Sequence, residues 1–231
     1  MRLSILIALL ITVNSISSIA QFDAESAKSH VIVKYSPWPM FDFDNTIQFG
    51  VEIPLGKGDF TLQQDLGYGN SSFCIWYHDY NQPPGKDIYK SRTQFRWYYF
   101  EKRRVRGYVG PEFLFKKVVY RDNQWVGMDC ADGFGNCGYF ENKAVRIDKN
   151  VSAGHARFGW QFYFPRRITL DLFTGIGFRG ITSRSHTPQQ ENARFYSIDD
   201  YWQSVRPGTR EFYPSVVLGF HFGVVLGKSR D

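Results

Sequence analysis

The chain has 231 residues, 43% of them hydrophobic and 18% aromatic, with a formal charge of +6. Mean hydropathy is −0.35, and no apolar run beyond the N-terminal stretch is long enough for a membrane helix. That excludes a helical membrane protein and leaves an exported soluble protein or a membrane β-barrel. For an exported chain the basic balance points to anionic lipid and away from nucleic acid.

The chain opens MRLSILIALLITVNSISSIAQ. Arg2 is the charged start, Leu3 to Val13 an apolar stretch, and Ser18-Ile19-Ala20 offers small residues where a signal peptidase reads. The apolar stretch is shorter than the roughly 18 residues a spanning helix needs. Residues 1–20 therefore read as a signal peptide and 21–231 as one outer-membrane barrel domain.

Eight strands follow by alternation of apolar and polar residues. The first is near His30 to Ser36. TIQFGVEIPLGKGDFTLQQDLGYG, residues 46–69, is a hairpin closed by a glycine turn. One face carries Ile47, Phe49, Val51, Ile53, Leu55, Phe60, Leu62, Leu66 and Tyr68, with Gln64 as a polar exception. The other carries Glu52 and Asp65. Further strands are expected at 89–100, 104–120, 150–164, 167–183 and 210–227, with an irregularity at Pro111. Short turns (56–59, 101–103, 165–166) alternate with long loops (70–88, 121–149, 184–209). Short turns at one end and long loops at the other are the pattern of an outer-membrane barrel with its turns in the periplasm.

Period two alone does not say which face points inward. A soluble barrel would put the apolar face inside. Eight strands enclose too narrow a lumen for so many Phe, Trp and Leu side chains, and the apolar face carries almost no charge. The polar face holds Glu52, Asp65, Glu112 and Asp171, which can pair with Arg92, Arg96, Arg106, Arg157 and Arg179; charges buried inside a barrel must be paired in this way. Apolar-face aromatics also gather at the strand ends. Phe60, Trp97, Tyr99, Phe162, Phe164, Phe220 and Phe222 are expected at the turn end, and Tyr35, Tyr68, Phe115, Phe178 and Phe212 at the loop end. Two such girdles suit the two interfaces of a bilayer. The fold class expected is all-β: an eight-stranded antiparallel up-and-down transmembrane β-barrel with its apolar face outward.

TIQFGVEIPLGKGDFTL, RTQFRWYYF...RGYVGPEF and GHARFGWQFYFPRRITLDLFTGIGF, in this order, resemble a family of small outer-membrane β-barrels of unknown function common in Bacteroidota. The resemblance spans most of the mature chain and implies an outer-membrane location. It supplies no catalytic residues.

Few motifs suggest chemistry. GIGFRG, residues 175–180, matches a dinucleotide fingerprint but is not followed by a helix start; inward glycines that make room for larger neighbours are the better reading. His155 and His221 fall on the polar face together with Ser215, so a lumen-sited lipid-modifying hydrolase is an alternative, given hydrogen-bond reach and an orienting acid. Cys130 and Cys137 suit a disulfide in an oxidising compartment, with Cys74 left over. Asp129, Asp132, Asn136 and Glu141 offer oxygen ligands in a glycine-rich segment, a weak calcium pattern without EF-hand spacing. Basic turns at 102–104 and 166–167 suit anchoring at head groups. The sequence therefore predicts a non-enzymatic outer-membrane barrel without cofactors. Its lumen is filled by side chains, and its long loops meet a protein or surface-glycan partner; a narrow channel is the other alternative.

Overall fold

The computed structural model describes residues 23–42, 44–71, 85–131, 136–186, 194–195 and 210–227. The proposed signal peptide and Cys74 lie outside the described residues. The strands are β1 (Val31–Ser36), β2 (Ile47–Leu55), β3 (Phe60–Asn70), β4 (Gly85–Lys102), β5 (Val105–Ala131), β6 (Asn136–Phe164), β7 (Ile168–Ser185), β8 (Arg194–Phe195) and β9 (Arg210–Leu226). All pair antiparallel. The order β4-β3-β2-β1-β9-β7-β6-β5 closes on itself through β4–β5, so eight strands form a ring and the two-residue β8 adds to β5 outside it.

Register fixes the ring's dimensions. Tyr35 pairs directly with Phe222 of β9. The other way round, its row runs through Phe49, Leu66, Ser91, Phe115, Ser152 and Gly180. It reaches β9 at Phe212, so the row misses its start by ten residues. With ordinary strand rise and spacing, eight strands and this shear require a tilt of roughly 40° and a backbone-to-backbone diameter of about 16 Å. Side chains from opposite walls fill such a space. The tilt also corrects one expectation: Tyr35 lies level with Phe222, not with the loop-end aromatics, and packs on Phe49 with ring centroids 5.3 Å apart.

The alternation sorts side chains as expected. Phe49, Leu66, Phe113, Ile176, Phe178, Val216, Leu218 and Phe222 are exposed on the outer face, Val216 at 75%. Inside, Gln63, Arg96, Arg157, Asp171 and Tyr108 are 0% exposed. Gln64, the polar residue on the outer face, is satisfied there: its amide donates to Ser91 Oγ (3.1 Å) and accepts from Thr93 Oγ1 (2.6 Å). The β4–β5 ladder lacks pairs opposite Gly110 and Pro111, and its register shifts between Tyr98 and Phe100. Proline lacks the ladder donor, so the expected irregularity falls close by.

The expected loop 121–149 is instead largely a hairpin. β5 and β6 continue pairing from Arg121–Arg146 to Ala131–Asn136, beyond the last residues of their neighbours. Apolar and polar residues do not alternate regularly over that stretch, although Val145 within it is buried. Cys130 and Cys137 are direct partners in this ladder.

A chain segment packs at each end of the ring. At the short-turn end, helix α1 (Ala24–Ala27) is capped by Asp23, whose side chain accepts from the Ser26 amide at 2.9 Å. Ala24 and Ala27 pack on Ile32, Tyr163 and Val225, and the Ala24 amide donates to the Arg103 carbonyl at 3.0 Å. At the long-loop end the link between β1 and β2 turns back on itself, with Thr46 N donating to Pro39 O at 3.0 Å. Asp44, Asn45 and Thr46 are buried.

Candidate functional site

The ring interior is the candidate site, and three polar clusters are stacked along it. The lowest centres on Glu52 of β2 and Asp171 of β7. Lys34 of β1 lies between them, its Nζ 2.5 Å from Glu52 Oε2 and 3.0 Å from Asp171 Oδ2. Arg96 of β4 bridges the same carboxylates, at 3.2 Å from Glu52 and 2.8 Å from Asp171. Tyr98 donates to Glu52 (2.5 Å) and Tyr108 to Asp171 (2.7 Å). Arg96 stacks over Tyr108 with its guanidinium carbon 4.0 Å from the ring centre. This is the pairing and hydrogen bonding that burial of charge demands.

Asp65 found other partners than the arginine expected. Gln48 and Gln63 donate to it at 3.0 and 2.7 Å, and His221 Nε2 lies 3.6 Å away. His221 also faces Asp171 through Nδ1 at 3.2 Å. Arg106 leaves the central carboxylates: it stacks on Tyr98, donates to Gly58 O at 2.6 Å and approaches Glu101. It ties the turn end together.

The middle cluster centres on Glu112 of β5. Arg157 of β6 forms an ion pair with it, and Arg92 Nε is 3.4 Å away. His155 Nδ1 lies 3.3 Å from Glu112, and its Nε2 lies 3.0 Å from Ser215 Oγ. The register explains this reach. Glu112, His155, Gly177 and Ser215 form one row over β5, β6, β7 and β9. Gly177 presents no side chain between His155 and Ser215. A Cβ there would meet Gly154 O at 1.9 Å, so this glycine serves close strand approach more than room for an arginine.

The third cluster lies at the long-loop end. Asp44 receives Lys86 and Lys116, each at 2.6 Å. Burial alone would raise the Asp44 pKa, but the charges of Lys116, Lys86 and Lys149 outweigh it and hold the carboxyl well below the usual range. Lys90, the register partner of Lys116, is 8% exposed and makes no hydrogen bond or ion pair with any described residue.

Arg179 does not join the network. It is exposed, 6.0 Å from the centre of the Tyr213 ring. The inward parity is right, and Ile181 and Ser183 further along it are buried, but Arg179 itself stays exposed. Of the calcium candidates, Asp132 lies outside the described residues, and Glu141 pairs with Lys143 at 2.5 Å. Asp129 adopts a left-handed φ of 50°, and no group of three metal-binding side chains occurs among the described residues.

Sequence reading missed Lys34, Lys86 and Lys90. Lys34 was legible: VIVKYS alternates, and Lys34 shares parity with Ile32 and Ser36. Asp44 was not, because a link between strands has no period.

No protein-family model, no curated protein and no solved structure matches the chain.

Proposed function

We propose that this chain is a small outer-membrane β-barrel of a structural or interaction type, with its short turns in the periplasm and its long loops and projecting hairpin outside the cell. The observation that carries the reading is the inverted distribution of polarity. Large apolar side chains such as Phe212, Val216 and Ile176 are exposed around the ring, while Arg96, Arg157 and Asp171 are wholly buried inside it. In water that arrangement would expose a large apolar surface; in lipid it is the stable one. The expected family of small Bacteroidota barrels and export through residues 1–20 belong to the same proposal.

The interior favours a plug over a pore. An eight-stranded ring is largely filled by its own side chains, and in its middle Lys34, Arg96 and Asp171 meet from three walls. What remains for recognition is the outer end, where the β5–β6 hairpin offers a protein or surface-glycan partner a raised surface. Membrane fractionation with heat-modified gel mobility tests the barrel, and planar-bilayer recording tests the seal. A chain that stays soluble without detergent overturns the first, and steady single-channel conductance overturns the second.

One observation favours the enzymatic alternative. Ser215, His155 and Glu112 stand in the order nucleophile, base, orienting acid, at 3.0 and 3.3 Å. Glu112 is also engaged by two arginines, which suits a structural carboxylate better. A fluorophosphonate probe decides: covalent labelling lost in Ser215→Ala would establish the hydrolase, and no labelling would remove it.

A further inference from the structure

The long-loop end of the interior has too many cations for its carboxylates. Lys86, Lys90 and Arg92 alternate down the inner face of β4, and Lys116 lies across from Lys90 on β5. All of these except Lys116 are buried below a tenth exposure, as is Lys149 of β6. Asp44 answers Lys86 and Lys116. Glu112, the next carboxylate inward, is shared by Arg92, Arg157 and His155. Asp148 is occupied by Lys117 and Arg146. That leaves Lys90 buried with no ion pair or hydrogen bond among the described residues, Asp42 and Glu112 acting on its ammonium only from beyond pairing distance, an arrangement that an anion joining it would stabilise.

Glycines on β3 let neighbouring segments pack close beside Lys90. Gly67 and Gly69 of β3 present only hydrogen: a Cβ on Gly67 would touch Lys90 Cβ at 3.4 Å, and one on Gly69 would meet Asn45 O at 1.9 Å and Thr46 Cγ2 at 3.2 Å. Lys90 and Thr46 therefore border neighbouring positions on one strand. The Thr46 hydroxyl is buried and has no hydrogen-bond partner among the described residues. A spare hydroxyl donor and an unpaired ammonium, with Lys116 alongside, suit an acceptor-only, multiply charged oxyanion.

We propose that the long-loop end of the interior binds a phosphate group, through Lys90 with Lys116 and the Thr46 hydroxyl. The group is either free phosphate or the phosphomonoester of a lipid head group, and the chemistry at Lys90 is the same for both. Arg92 and Lys86 add to the positive field without leaving their own partners. The inference concerns the ring interior and stands whether or not the outer face meets lipid.

The test uses the full-length protein in zwitterionic detergent, and in phosphatidylcholine nanodiscs with or without phosphatidic acid. The melting temperature is followed as inorganic phosphate is added, against sodium chloride of equal ionic strength. The expected result is a rise with phosphate, or with phosphatidic acid alone, that chloride does not reproduce. The first outcome assigns a soluble ligand and the second a lipid head group. Lys90→Met should abolish that rise, raise the melting temperature of the phosphate-free protein by removing an unpaired buried cation, and weaken phosphate binding at least tenfold by calorimetry. Lys90→Arg should restore binding. Three results overturn the proposal: equal responses to phosphate and chloride with none to phosphatidic acid, an unchanged response in Lys90→Met, or a lower phosphate-free melting temperature for that variant.

Discussion

Arg96 Nη2 of β4 lies 2.8 Å from Asp171 Oδ2 of β7, on the far wall of the ring, and neither side chain is exposed to solvent. The same guanidinium reaches Glu52 at 3.2 Å. One side chain thus joins three strands that are not neighbours in the sheet. Arg96→Ala leaves two buried carboxylates short of a cation and should cost about 3–5 kcal/mol. The heat-modified gel shift should then melt at a clearly lower temperature. Melting at the wild-type temperature would mean the network contributes little to the ring.

Tyr98→Phe is a milder probe of the same cluster. It removes the hydroxyl that donates to Glu52 at 2.5 Å and keeps the ring beneath Arg106. A lost hydrogen bond to a charged group costs roughly 1.5–3 kcal/mol. Thermal melts of Tyr98→Phe, Arg96→Ala and the double variant should be non-additive, because both side chains act on Glu52. Additive effects would show that the two contacts are independent.

Two glycines should respond oppositely to alanine. Gly177→Ala puts a methyl group against Gly154 O and His155 Cα, whereas a Cβ on Gly154 meets nothing within 4 Å. Overpacking of this kind costs about 1–3 kcal/mol. Refolding yield and melting temperature should fall for Gly177→Ala and stay near wild type for Gly154→Ala. Equal behaviour of the pair would contradict the close approach of β6 and β7.

Asp44→Asn removes the carboxylate that joins Lys86 to Lys116 and should destabilise the loop end by about 3 kcal/mol. The sign of the pH effect follows from its lowered pKa. A depressed carboxyl contributes fully above its unfolded value of about 3.9, and the contribution is lost as pH falls below that toward the folded value. Melts at pH 8 and pH 5 should therefore show the same difference between wild type and Asp44→Asn. A difference that vanishes by pH 5 would mean that Asp44 titrates in the ordinary range.

Cys130 and Cys137 face each other across the hairpin, at a separation set by strand spacing that a disulfide can bridge. Non-reducing peptide mapping of the exported protein should recover the two linked. Reduction should leave the melting of the ring unchanged, because the bond would close a small loop outside it. A drop in ring stability on reduction would mean that the hairpin is coupled to the ring.

The fold was legible where alternation had two different environments to report. FTLQQDL and RTQFRWYYF place apolar and charged residues on opposite parities because one face meets other side chains and the other does not. The row from Glu112 through His155 and Gly177 to Ser215 was only half legible. Parity puts all four inward, but register alone makes them neighbours, and no single strand encodes register. The pairing of carboxylates with arginines was legible as a class and not in detail. Asp65 took Gln48, Gln63 and His221 although Arg92 is its direct register partner, because Arg92 turns to Glu112 instead. The hairpin beyond Arg121 was missed because its apolar and polar residues do not alternate regularly along it.

Closing the ring also removes every strand edge from it, and with the edges goes the usual route by which sheets recruit further strands. The hairpin brings edges back. Beyond Arg121 and Ile147, β5 and β6 pair with each other, and among the described residues only Val126 and Gly127 gain another strand, at Arg194 and Phe195. Along the rest of that ladder no further strand of the described residues pairs with β5 or β6. Any tendency of this molecule to add strands from another chain is therefore confined to one slender extension, away from the ring.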